Sequence, residues 1–278
     1  MQRHHDKQFA SKLVVITGGT SGIGFALAEE LSRRHARIVI LADQAVSVAN
    51  ALAQLSRSGR VIHGYACDVG KVESVSQTCA QVAATHGTPD ILINSAGFAI
   101  YRTFEQEDSS EIERLMNVNF AGAVRVTKGF LGGMIQRGSG HIVNIASIAG
   151  AIALTPCGVY SAAKHGMMAW SKCVALEVAR FGIDVTVVCP GRVETNFFNH
   201  ETFRNRLHRK ETGMTIPMET VVEATLNAIL RRQRVRYVPR HYGLLVWAYH
   251  ALGPLVRAPL DKLLRSRVED IYRNADGQ

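Results

Sequence analysis

Apolar positions in this chain follow two alternating rhythms. Short, almost unbroken runs rich in Val and Ile stand at residues 12–17, 37–41, 61–67, 90–94, 141–145 and 184–188, with a last one at 236–239. Runs this short and this β-branched predict strands, most of them buried on both faces. Between them apolar residues recur at helical spacing, as at 25–31 behind the first run. Alternating β and α segments imply a parallel sheet with helices on both sides, a doubly wound α/β fold. No Pro- or Ser-rich linker divides the chain, and no repeat exceeds the βα alternation. Residues 1–240 are therefore read as one domain, and 241–278 as a short apolar and basic extension.

The first strand runs straight into Gly18-Gly-Thr-Ser-Gly22-Ile-Gly24 and then into a helix. Strand, glycine turn and helix is the setting a dinucleotide fingerprint requires. Glycines let backbone approach a pyrophosphate, and the helix end supplies free N–H groups. Further along, Tyr160 and Lys164 stand four residues apart, with Ser147 thirteen residues before Tyr160. On a helix, positions i and i+4 share a face. A lysine there is expected to lower the tyrosine pKa and suit it to proton transfer near neutral pH.

Composition narrows the choice. Nearly half of the 278 residues are hydrophobic, ample for a core. Cys67, Cys79, Cys157, Cys173 and Cys189 form no C-x-x-C pair, which suits a reducing compartment, and no metal site is expected. The first eight residues are too polar for a secretory signal, and His4 and His5 read as a solvated terminus. A cytoplasmic protein, with or without peripheral membrane contact, is expected. The net charge is +9, yet no nucleic-acid recognition module is visible, so no nucleic-acid partner is expected.

These residues resemble the short-chain dehydrogenase/reductase superfamily in its compact, single-domain, Rossmann-like branch. The resemblance covers about residues 10–240. Its markers are Thr17 to Gly24, Cys67-Asp-Val69, Asn94-Ser-Ala-Gly97, Asn117-Val-Asn119, Ser147, Tyr160-Ser-Ala-Ala-Lys164 and Pro190-Gly191. It implies an NAD(P)-dependent oxidoreductase. Tyr160 would be its general acid/base, Lys164 the tuner of Tyr160 and ligand of the nicotinamide ribose. Ser147 would hold the substrate oxygen, and Asn119 would position a water leading to solvent. The same implication places Gly18, Thr20, Ser21, Gly22, Ile23 and Gly24 at the pyrophosphate. It places Asp68 and Val69 at the adenine, has Asn94 brace the neighbouring strands at the cofactor site, and leaves room for the adenosine ribose at Ala96 and Gly97. Pro190, Gly191, Val193 and Thr195 fall beside the nicotinamide. Plainer structural uses exist too: Ser147 as a cap of the following turn, Asn119 as a backbone partner within a helix.

Asp43 decides the expected cofactor. It lies nineteen residues past Gly24, where an acid accepts from the adenosine 2′-OH and repels a 2′-phosphate. NAD is therefore expected ahead of NADP, although the usual acidic position falls one residue earlier, at Ala42.

Substrate signals are weaker. Phe197, Phe198 and Phe203 suggest an apolar pocket, so the expected substrate is a hydrophobic secondary alcohol or ketone of acyl, lipid or steroid type. The basic run 204–210 reads as a solvated face. The extension admits three readings: a pocket lid, a subunit interface, or a peripheral membrane contact through 242–267. The family habit implies a homodimer or homotetramer packed through the helix of Tyr160, with Leu154, Met167, Met168 and Trp170 as interface or core. Two alternatives to the dehydrogenase stay open. One is a non-catalytic dinucleotide-binding scaffold; the other is an epimerase or dehydratase using the same Tyr/Lys pair.

Overall fold

The computed structural model describes residues 8–56, 61–193 and 215–275. Strands β1 (Leu13–Thr17), β2 (Arg37–Ala42), β3 (Ile62–Ala66), β4 (Ile91–Asn94), β5 (Gly140–Ile145), β6 (Ile183–Pro190) and β7 (Val235–Val238) form one sheet. Its order is β3-β2-β1-β4-β5-β6-β7, and every described pairing is parallel. The chain order reverses between β1 and β4. A doubly wound sheet opens a crevice there, beyond the carboxyl ends of its strands.

Helices α1 (Gly22–Arg33), α2 (Ala45–Leu55), α3 (Val72–His86), α4 (Ser109–Met116), α5 (Gly122–Arg137), α6 (Gly158–Val178) and α7 (Met218–Leu230) cover the sheet. Side-chain alternation along β1 shows why its whole run is apolar. Val14 and Ile16 pack with Leu27 and Leu31 of α1 and Val221 of α7. Leu13 and Val15 face the other way, onto Val82 of α3 and Phe130 of α5. A strand covered on both faces has no solvent side to make polar.

Beyond β7 come α8 (Tyr242–Ala251) and α9 (Pro254–Ala275). They lie against the body: Val246 joins a core cluster with Ile152, Met168, Val187 and Cys189, and Tyr249 and Leu260 pack on it. Met167 and Met168 are buried inside their own chain, so their core reading holds and neither is an interface contact. Trp170 is half-buried and meets Phe120 edge-on at 6.5 Å between ring centroids. Thr195, the three phenylalanines at 197, 198 and 203 and the basic run 204–210 lie outside the described residues.

Candidate active site

The polar residues of interest collect at the carboxyl edge of the sheet, because each follows a strand end. β1 delivers the glycine turn, β2 Asp43, β3 Asp68, β4 Asn94 to Gly97, β5 Ser147 and β6 Gly191. At the turn, Gly18 takes φ +65, and a Cβ there would sit 2.8 Å from Ala96 Cα. A Cβ on Gly24 would lie 2.3 Å from the Gly18 carbonyl oxygen, so the turn closes onto the start of α1 only with glycine at that position. Thr17 Oγ1 accepts from the backbone N–H groups of Ser95 and Ala96, each at 3.1 Å, and pins the β4 loop beside the turn. Ser21 caps α1 without a side-chain hydrogen bond. First-turn N–H groups of α1 are thus left for an outside acceptor. Thr20 and Ile23 are partly buried and Ser21 is exposed.

Tyr160 and Lys164 stand one turn apart on α6, with the ammonium 5.7 Å from the phenol ring centroid. Lys164 is buried and donates to the Ile145 carbonyl at 2.9 Å. Ser147 lies close enough to Tyr160 for a side-chain hydrogen bond that pulls the phenol pKa down. Ser147 also accepts from the Ala149 N–H at 3.1 Å, so its capping role and its contact with Tyr160 coexist.

Burial dominates the electrostatics here. It pushes the Tyr160 phenol above its ordinary value, against the smaller downward pull of Ser147. The fall in the Tyr160 pKa expected from Lys164 is therefore absent in the protein alone. Burial also weakens the lysine, whose pKa falls to about 8. Cys189, beneath both, is raised to about 12 by burial.

Asn119 sits in a single π-helical turn, Asn117–Ala121, between α4 and α5. Such bulges re-aim side chains and are frequent at functional sites. Its Nδ2 donates to Phe98 O (2.9 Å) and Leu115 O (3.1 Å), the second one helical turn back. Its Oδ1 is buried and accepts from no protein group. A Cβ on Gly97 would lie 2.5 Å from that oxygen and 3.6 Å from Lys164 Nζ. The orphan oxygen and the lysine therefore converge beside Gly97.

The other expected residues fall as follows. Asp68 Oδ1 accepts from Gly70 N–H at 2.9 Å, and Lys71 Nζ lies 3.7 Å from the same carboxylate. Val69 is buried in the core against Gly122. Pro190 is buried at the end of β6, and Tyr242 of α8 lies over Gly191. Val193 bridges Ile216. Asp43 is exposed just past β2, whose pairing with β3 ends at Ala42. The strand thus runs one residue beyond the apolar run 37–41, and Asp43 follows its end.

Asn94 braces the neighbouring strand β5 as expected, and it begins a buried chain of polar side chains whose further members sequence reasoning missed. Asn94 Nδ2 donates to Thr127 Oγ1 (3.0 Å) and to Asn144 Oδ1 (2.8 Å). Asn144 Nδ2 donates to Ser171 Oγ (2.8 Å), which donates to Met167 O (2.6 Å). A clue was available: an asparagine late in each of two apolar runs, paired in register across β4 and β5.

The glycine cradle, the unused N–H groups of α1 and the orphan Asn119 oxygen fit a dinucleotide lying across the switch point. Among the described residues no cluster fit for a metal ion occurs.

A family model described as short chain dehydrogenase matches residues 12–205. A D-beta-hydroxybutyrate dehydrogenase of Rhizobium meliloti is 39% identical over 189 residues, covering 66% of this chain and 72% of that protein. Ketoacyl reductase HetN of Nostoc sp. is 32% identical over 218 residues, covering 78% and 75%. A short-chain dehydrogenase from Sphingobium yanoikuyae in complex with NADPH matches with TM-score 0.75 at 27% identity, over 87% of this chain and 94% of that one. One from Burkholderia phymatum in complex with NAD shares the fold, with TM-score 0.78 at 23% identity over 87% and 94%.

Proposed function

The chain belongs to the short-chain dehydrogenase family, and on that premise we propose that it interconverts a secondary alcohol and a ketone on a hydrophobic substrate. It is an oxidoreductase of CH–OH groups that works with a nicotinamide dinucleotide. The observation that carries the finer reading is the Tyr160–Ser147 hydrogen bond beside buried Lys164. Two hydroxyls converge where a carbonyl oxygen would accept from both. In reduction Tyr160 gives its proton to that oxygen; in oxidation it takes the hydroxyl proton back. Ser147 holds the oxygen and stabilises the charge that develops there. The nicotinamide, when bound, supplies or accepts the hydride.

A phenol kept protonated by burial is the acid that reduction needs. Lys164, with a pKa of about 8, is poised to restore the Tyr160 proton rather than only to polarise it. Asn119 Oδ1 is placed to accept from a water that connects the lysine to solvent. The glycine turn from Gly18 to Gly24 holds the pyrophosphate, Ala96 and Gly97 leave room for the ribose, and Asn94 braces the strands beside them. Pro190, Gly191 and Val193 border the nicotinamide. The substrate class rests on the apolar cluster around Tyr160, which includes Ile100, Phe98 and Val159.

NAD is the preferred cofactor in this reading. Asp43 stands at the tip of β2, and the glycine turn carries no basic side chain to hold a 2′-phosphate. Homo-oligomerisation through the outer face of α6, where Leu176 is exposed, belongs to the same reading. So does a division at residue 240 between catalytic body and extension.

The test is a fluorescence titration with NADH and NADPH, followed by turnover assays on medium-chain and cyclic ketones. NADH should bind tighter, and Asp43→Ala should erase the difference. Tyr160→Phe should bind NADH like the wild type while turnover drops by about 10²–10⁴-fold. A Tyr160→Phe enzyme that keeps most of its rate sinks the mechanism. Failure to bind either nucleotide returns the scaffold reading.

A further inference from the structure

We propose that the outer face of α8 docks this protein on an anionic bilayer surface, with the helix lying in the interface plane. α8 has no polar side. Val246 is turned into the body, and Tyr249 packs there beside it. The opposite arc carries Leu244, Leu245 and Trp247, and Leu252 and Leu255 continue it beyond the helix end. Leu244 is 68%, Trp247 60% and Leu255 81% exposed. At 3.6 residues per turn Leu244, Trp247, Ala248 and Ala251 fall on one side. A surface helix normally turns a polar face outward, so an apolar arc of this kind marks a contact.

Charge selects the occupant. From Arg231 to Arg257 the chain holds six arginines and no Asp or Glu. Arg232 pairs with Asp184 at 3.4 Å. Arg240 stands where the chain enters α8, its carbonyl accepting from Gly243 N–H. Burial lowers the Arg236 pKa, and the nearby charges of Arg240 and Arg231 lower it further. Glu219 and Glu223 of α7 border the same groove as Arg236 and Arg240, and Glu223 lies 3.7 Å from Arg34. At the far end of α8 Arg257 lies 5.1 Å from the Tyr249 ring centroid. Guanidinium groups at both ends of an apolar helix match phosphate headgroups over acyl chains. A second copy meeting this face about a twofold axis would bring the same arginines toward each other. Among the described residues no helix is long and apolar enough to cross a membrane, which leaves an in-plane contact.

The face also adjoins the site. His250 Nε2 lies 3.1 Å from Ala151 O, just beyond Ser147, and Tyr242 covers Gly191. Docking would bring the rim of the pocket to the lipid, where an apolar ketone or alcohol is dissolved; this last step rests on the catalytic reading above.

The experiment is flotation of the full chain with two sets of vesicles. One set is phosphatidylcholine; the other is equal parts phosphatidylcholine and phosphatidylserine. Binding to the mixed vesicles is expected, falling with added salt. Leu244→Ser with Trp247→Ser should weaken it by about tenfold or more, and Arg240→Gln by about fivefold. Unchanged nucleotide titrations and circular dichroism would show that the variants are folded. The proposal is overturned if the wild type leaves mixed vesicles unbound, or if the double variant binds as tightly. It is also overturned if sedimentation finds a dimer that the double variant dissolves while vesicles stay bare. No substrate enters the assay, so it stands apart from the catalytic reading.

Discussion

The carboxyl edge of the sheet and the α8–α9 extension are built on opposite plans. At the sheet edge each polar group is aimed by short-range constraints: a strand end, a glycine turn, one turn of α6. Lys164 and Asn119 are almost completely enclosed there. The extension makes fewer anchoring contacts, chiefly Val246, Tyr249, Leu260 and the His250 hydrogen bond, and leaves large apolar side chains in water. The family match ends at residue 205, before the extension begins. The difference teaches that chemistry is placed by enclosure, whereas attachment is placed by what enclosure leaves out.

Substitutions should separate the two regions. The largest effect is expected for Lys164→Met. Turnover should fall by about 10²-fold or more, yet the ligand-free protein should gain stability. The sign follows from the shift. Lys164 titrates at about 8 in the folded chain against 10.5 for the free side chain, so its charge opposes folding. That cost is complete below pH 8 and fades as pH rises toward 10.5. After the lost bond to Ile145 is subtracted, a gain of roughly 1–2 kcal/mol is expected near pH 7. Urea unfolding of both proteins from pH 7 to 10.5 checks it; a gap that fails to narrow with pH contradicts the assignment.

Next comes Gly24→Ala, whose new Cβ would meet backbone rather than a flexible side chain. A cost of about 1–3 kcal/mol is expected, with nucleotide affinity reduced and vesicle flotation unchanged. Loss of both functions together would mean that the two regions are not separable. The smallest effect is expected for His250→Ala, about 1 kcal/mol for one hydrogen bond. Limited proteolysis should then release α8 and α9 earlier while nucleotide binding stays intact. An unchanged cleavage rate would show that His250 does not tether the extension.

Legibility in the sequence divides along the same line. All seven strands were readable to within two residues, the five inner ones because a strand buried on both faces must be apolar throughout. Ser147, Tyr160 and Lys164 were readable because their spacing is local to one turn and one helix. The Tyr160 pKa direction was not, since burial depends on packing from Ile100 and Phe98, far away in sequence. Met167 and Met168 were ambiguous for the same reason: an apolar helix position does not say which neighbour covers it. The buried asparagine chain required register between β4 and β5, which periodicity leaves undetermined. In the extension, composition showed that apolar and basic residues mix, but only the fold separates Val246 from Trp247.

That asparagine chain has a direction. Each donor points one way, from Asn94 through Asn144 and Ser171 to the carbonyl of Met167 on α6. Flipping the Asn144 amide would set nitrogen against nitrogen at one end and oxygen against the Ser171 oxygen at the other. The chain works as an index mark: it sets both the height and the rotation of α6 on the sheet. Tyr160 and Lys164 ride on that helix, so their aim is calibrated by hydrogen bonds that touch neither of them. An enzyme redesigned for a different substrate could exchange its pocket walls freely and still keep its proton donor in focus, provided those amides stay untouched.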